Sequence, residues 1–264
     1  MNRIDKKFKE LRRKKKKAFI AFLTAGYPNL STTAKLIPEL EKSGVDIVEL
    51  GIPFSDPIAD GPVIQKSSYE ALKKGATLGR ILKLVAQLRC KTQMPLAAMS
   101  YYNPILSYGP ARFVKEAVRV GLDAVIVPDL PPEEEKDFVQ AAKKSGLHII
   151  QFIAPTTSRQ RARMIVRHSG GFIYFVSLTG VTGMRRQLPA ELKSQLRSVK
   201  RIAGKIPVCA GFGVSTPEQV KAVGSFCDGV IVGSAIVKSI SQNTSKRRLV
   251  SNVGAFVRAL TRKI

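Results

Sequence analysis

The chain has 264 residues, 44 of them Lys or Arg against 19 Asp or Glu, giving a formal net charge of +25. Its 44% apolar content excludes disorder from low hydrophobicity, and its length admits one α/β barrel or two smaller domains. Three widely spaced cysteines (Cys90, Cys209 and Cys227) exclude a disulfide framework and fit a reducing compartment, and no apolar run nears the roughly 18 residues of a membrane helix.

Residues 1–17 hold ten basic and two acidic residues, with Ile4, Phe8 and Leu11 at helical spacing. This pattern predicts an amphipathic helix over 5–16. The charged stretch is too long for a secretion signal, and the apolar run after it ends in Gly26-Tyr27-Pro28 without a cleavage pattern, so a cytoplasmic chain is expected. Eight short apolar runs follow, at 18–26, 45–51, 94–101, 124–129, 148–155, 172–178, 207–213 and 229–233. Continuous apolarity without alternation predicts strands buried on both faces, as in a parallel sheet covered by helices. Helical patterns fill the intervals. The segment 36–44 closes on Gly44, Pro131-Pro132-Glu133-Glu134-Glu135 reads as a helix start, and Ser215-x-x-Glu218 reads as a capping box. No sequence repeat is read beyond this alternation. The fold class predicted is α/β, a single (β/α)8 TIM barrel domain over 1–264 with an extra N-terminal helix in 1–17 and a basic C-terminal helix in 243–264.

The charge excess is local. Segments 1–17, 243–264, 185–205 and 158–168 carry net charges of +8, +6, +6 and +4, which leaves the rest of the chain close to neutral. Each segment has a helical apolar rhythm, so the charges read as solvated faces of outer helices and weigh against nucleic acid as a partner.

Chemistry in such a barrel sits where strands end. The second run leads into VELGIPFSDPIADGP (48–62), with Glu49 inside an apolar strand and Asp56 and Asp60 in the loop beyond it. Burial raises the pKa of a carboxyl toward neutrality, which suits proton transfer; an ion pair is the competing role for Glu49, and turn chemistry the competing role for Asp56 and Asp60. Gly180-Val181-Thr182-Gly183, Gly211-Phe212-Gly213 and Gly233-Ser234-Ala235 follow the sixth, seventh and eighth runs. Bare N–H groups there suit phosphate, although tight turns use glycine anyway. Phe22, Tyr101, Tyr174 and Phe212 near strand ends form either an aromatic pocket or ordinary core. His148 starts the fifth strand, His168 sits late in a basic helix, no cluster has metal spacing, and no strand end carries a lysine for a Schiff base. Metal-free acid–base chemistry on a small phosphorylated substrate remains.

FLTAGYP (22–28), ELGIPFSDPIADGP (49–62), SYYNPI (100–105), GVTG (180–183), GFG (211–213) and GSAIV (233–237) together resemble the tryptophan synthase α subunit family, over residues 5–240. The resemblance implies retro-aldol cleavage of indole-3-glycerol phosphate to indole and glyceraldehyde 3-phosphate. It implies Glu49 as general acid/base at indole C3 and Asp60 at the indole N–H. It further implies a phosphate cradle at Gly183, Gly213, Gly233 and Ser234, and an indole pocket and lid at Phe22, Tyr101, Tyr174, Thr182 and Phe212. The implied partner is a β subunit in an α2β2 heterotetramer, docked at loop 53–60 and the Tyr102–Pro104 side of the mouth. Pyridoxal phosphate would then belong to that partner, with no cofactor or metal in this chain and no membrane association. The other readings are a non-catalytic activating α-like subunit and another metal-free phosphosugar lyase or isomerase. The basic ends depart from what the family leads one to expect.

Overall fold

The computed structural model describes residues 1–176, 190–211, 213–262 and 264, Ala190 by its backbone alone. After helix α1 (Arg3–Arg13), strand β1 (Ala18–Thr24) leads through α2 (Leu30–Lys42) to β2 (Ile47–Gly51). Two helices, α3 (Pro62–Lys73) and α4 (Leu78–Arg89), precede β3 (Leu96–Met99), and two more, α5 (Tyr102–Tyr108) and α6 (Pro110–Val120), precede β4 (Ala124–Ile126). The chain continues through α7 (Lys136–Lys144), β5 (His148–Ile153), α8 (Arg159–His168), β6 (Ile173–Val176), α9 (Ala190–Ala203), β7 (Val208–Gly211), α10 (Pro217–Gly224) and β8 (Gly229–Val232). It ends in α11 (Ser234–Ser241) and α12 (Leu249–Thr261). Each strand pairs in parallel with its sequence neighbour, and β8 closes on β1. The fold is a (β/α)8 barrel with an extra N-terminal helix.

Side-chain alternation sorts the strands into two cores. Val48 and Leu50 of β2 face the surrounding helices, as do Phe19, Ala21 and Leu23 of β1. Ile20, Ile47, Ala97, Ile126, Ile150 and Ile231 fill the barrel itself. Because successive residues point to opposite sides, Glu49 shares the inner side with Ile47.

Helix α1 closes the bottom of the barrel. Its apolar stripe, Ile4, Phe8 and Leu11, joins the inner core, with the Phe8 ring edge-on to Phe172 at 6.0 Å. Burial of three such side chains contributes roughly 5–8 kcal/mol. Polar contacts fix its pose: Asn2 donates to the carbonyls of Asp123 and Gly146, Arg3 pairs with Asp123 at 3.1 Å, and His148 Nε2 stands 3.0 Å from both Asp5 carboxyl oxygens. The outer face of α1 carries Lys6, Lys9, Arg12 and Arg13, all exposed.

Three local readings are corrected. The capping box is formed by Thr216 and Gln219, one residue beyond Ser215 and Glu218. Pro217 takes the first helical position, where a missing N–H costs nothing, and so makes Thr216 the cap. Helix α7 starts only at Lys136; Glu135 sits in the left-handed region (φ 47°), and the stretch before it is turns. A short repeat also exists at the barrel floor, in Val45-Asp46-Ile47-Val48, Leu122-Asp123-Ala124-Val125 and Cys227-Asp228-Gly229-Val230. In each, the aspartate immediately before one strand accepts the N–H at the start of the preceding strand. Asp46 takes Phe19, Asp123 takes Leu96 and Asp228 takes Val208, at 2.9, 2.9 and 3.0 Å. These N–H groups would otherwise be left at a buried sheet end, which is why a costly carboxylate is placed there.

Candidate active site

At the other end of the barrel, β2 delivers Glu49 to the interior. Its Cα neighbours across the sheet are Phe22 of β1 and Ala97 of β3. The side chain is fully buried, and neither carboxyl oxygen has a hydrogen-bond partner among the described residues. Burial alone pushes its pKa up to about 8, so at neutral pH the group holds its proton. The ion-pair role weighed from sequence is absent among the described residues.

Gly51 and Gly211 make room for two aromatic side chains, Phe22 and Tyr174. A Cβ on Gly51 would stand 2.5 Å from the Phe22 ring, and one on Gly211 would stand 2.9 Å from the Tyr174 hydroxyl. Any larger residue at either position would displace one of these rings. The Tyr174 phenol is pushed well above its usual pKa, first by loss of water contact and then by the charges of Glu49, Cys209 and Asp60. One ring therefore lies within electrostatic reach of both candidate carboxyls.

Asp60 comes from the loop between β2 and α3. Burial raises its pKa, and a hydrogen bond with the Tyr101 hydroxyl pulls it back. It lines a small cleft with Phe22, Thr24, Ile64, Met99 and Tyr101, so three of the sequence candidates (Phe22, Asp60 and Tyr101) meet in one place. Asp56, by contrast, is exposed and bonded to its neighbour Ser55, which is turn chemistry. Gly233 borders Phe22, with its Cβ position 3.4 Å from that ring, and opens α11 at Ser234 without a side-chain cap. Gly213 (φ 67°) follows β7 in a conformation that favours glycine. Gly183, Thr182 and Phe212 lie outside the described residues.

Sequence reasoning missed the polar residues that brace the mouth. Thr24 Oγ1 is 2.6 Å from Ser67 Oγ, and Ser68 Oγ accepts the Phe54 N–H at 2.9 Å. All three side chains are buried. The available signal was the adjacent Ser67-Ser68 pair on α3, turned toward the strands rather than to water.

Fold and site define a (β/α)8 barrel that gathers two carboxyl candidates, Glu49 on β2 and Asp60 on the loop after it, where barrel enzymes carry their chemistry. The sequence model of the tryptophan synthase alpha chain family matches residues 8–263. The alpha chain of Geobacter sulfurreducens is 47% identical over 264 residues, covering 100% of this chain and 99% of that one. That of Thermoanaerobacter sp. (strain X514) is 45% identical over 260 residues, 98% of each chain. Among solved structures, the tryptophan synthase subunit alpha of Legionella pneumophila superposes with a TM-score of 0.93 at 39% identity, covering 100% of this chain and 98% of that one. The chain belongs to the tryptophan synthase alpha chain family. It is a carbon–carbon lyase of tryptophan biosynthesis.

Proposed function

We propose that Glu49 and Asp60 carry the cleavage of indole-3-glycerol phosphate between them. The observation that supports this most directly is Glu49: a fully buried carboxyl, without a hydrogen-bond partner among the described residues and with a pKa of about 8, on the strand that leads into the loop carrying a second carboxyl. Such a carboxyl is costly to fold and is primed to give up a proton at neutral pH. Glu49 donates its proton to indole C3 while Asp60 accepts the N–H proton, so the ring becomes its C3-protonated tautomer. The ionised Glu49 then takes the proton of the side-chain hydroxyl next to the scissile bond. The C–C electrons flow into the ring, Asp60 returns its proton to nitrogen, and indole and glyceraldehyde 3-phosphate separate. Both carboxyls end in their starting states.

The two environments support this division. Among the described residues Glu49 has no partner to favour its anion, whereas Asp60 has the Tyr101 hydroxyl beside it. Phe22, Tyr101, Tyr174 and Phe212 would hold the indole, with Thr182 on the lid. Gly183, Gly213, Gly233 and Ser234 would hold the phosphate through backbone N–H groups. The partner would be a β subunit in an α2β2 assembly, and pyridoxal phosphate would reside there rather than here. The chain would act in the cytoplasm as one domain over 1–264; among the described residues no helix is long and apolar enough to cross a membrane.

The test is indole release by the purified chain, alone and with a β subunit. Glu49→Gln and Asp60→Asn each lower turnover by about 10²–10⁴-fold. Near-normal release from either variant removes that residue from the mechanism.

A further inference from the structure

We propose that Tyr101 is a positioning residue: its hydroxyl ties the loop between β2 and α3 to the end of β3 and so fixes where the Asp60 carboxyl stands over the substrate. The proposal rests on the assignment of Asp60 above and adds to Tyr101 a role beyond lining the pocket. Tyr101 lies two residues past the end of β3, is 5% exposed, and follows Ser100, whose N–H bonds to the Ile126 carbonyl of the neighbouring strand at 3.0 Å. The loop it reaches is soft by comparison. Ser55, Asp56, Ile58 and Ala59 are all exposed, Ile58 by 86%.

Tyr101 holds this loop at both ends. Its ring lies on Phe54, at the start of the loop, with centroids 5.3 Å apart. Its hydroxyl accepts the Ala59 N–H, at the end of the loop, at 2.8 Å. A phenol oxygen that accepts from Ala59 still has its own hydrogen to donate, and Asp60, the next residue along, lines the same small cleft, where the hydroxyl lowers the pKa of its carboxyl. The remaining ties come from the α3 side, where Ser68 holds the Phe54 N–H and Gln65 donates to the Asp60 carbonyl at 2.9 Å. Among these, the Tyr101 hydroxyl is the tie made from inside the cleft that Asp60 lines. A displacement of about 1 Å in a proton-transfer group costs on the order of 100-fold in rate, so a single hydroxyl with this placement has leverage over turnover.

The experiment is a double-mutant cycle on indole release from indole-3-glycerol phosphate by the full chain, using Tyr101→Phe, Asp60→Asn and the double variant. Tyr101→Phe keeps the ring on Phe54 and removes only the hydroxyl. It lowers kcat by about 10–100-fold with KM within about threefold, and in the Asp60→Asn background its effect shrinks to less than about twofold. An equal loss in both backgrounds, or wild-type kcat in Tyr101→Phe, overturns the proposal. Near-normal activity of Asp60→Asn instead overturns the assignment on which it rests. Amide hydrogen exchange on the wild-type chain gives a check that needs no variant: the Ala59 amide is protected although its residue is exposed, and an unprotected Ala59 overturns the proposal.

Discussion

Glu49→Gln has a second consequence, separate from catalysis: it stabilises the fold, and more so as the pH rises. The carboxyl's pKa lies near 4.5 when the chain is unfolded and at about 8 in the folded protein, because burial disfavours the anion. The folded state therefore binds this proton more tightly than the unfolded state. The stability it contributes is fully present below pH 4.5 and is lost as pH rises through 8. At about 1.36 kcal/mol per pH unit, the loss is roughly 3 kcal/mol by pH 7 and roughly 5 kcal/mol by pH 9. Glutamine has the same shape, never ionises, and is left equally short of hydrogen-bond partners. The variant thus matches the wild type near pH 4.5 and exceeds it by those amounts at pH 7 and 9. Urea unfolding at the three pH values reads the difference directly as a shift in midpoint. A stability difference that stays constant across pH, or a Glu49→Gln chain weaker than wild type at pH 9, refutes the reasoning.

Two more outcomes follow from packing. Phe8→Ala empties part of the barrel floor beside Phe172 and costs roughly 3–5 kcal/mol, seen as a lowered thermal midpoint with activity retained below the transition. Gly211→Ala drives a methyl against the Tyr174 hydroxyl, 2.9 Å from the Cβ position. It is expected to lower kcat/KM for indole release by about tenfold and to cost roughly 1–3 kcal/mol of stability, because the displaced ring packs on Phe152 and the inner core.

The barrel was legible from the sequence because strands buried on both faces are written as unbroken apolar runs; all eight runs hold a strand. Glu49 was legible for the same reason, since a carboxylate inside such a run breaks the pattern. What the sequence concealed depends on geometry between distant segments. The floor aspartates Asp46, Asp123 and Asp228 share a four-residue context too short to register as a repeat until their acceptor roles on neighbouring strands are seen. Tyr101 read as one more aromatic near a strand end, because its bond to Ala59 joins residues 42 apart along the chain. The capping box slipped by one residue because Ser215 and Thr216 are both competent caps and Pro217 decides between them.

The plug formed by α1 imposes an order on assembly. It is made before the strands it plugs, and the partners that fix its start come late: Asp123 and His148 lie 120 and 143 residues from their partners Arg3 and Asp5. Phe172, which receives Phe8, is synthesised later still. Until β4, β5 and Phe172 exist, the apolar stripe of this helix has no floor to fill, and local helical propensity is all that holds it. Its docking therefore belongs among the last events of folding, and the heavy positive charge on its outer face keeps the waiting segment soluble and apart from its own kind in the meantime.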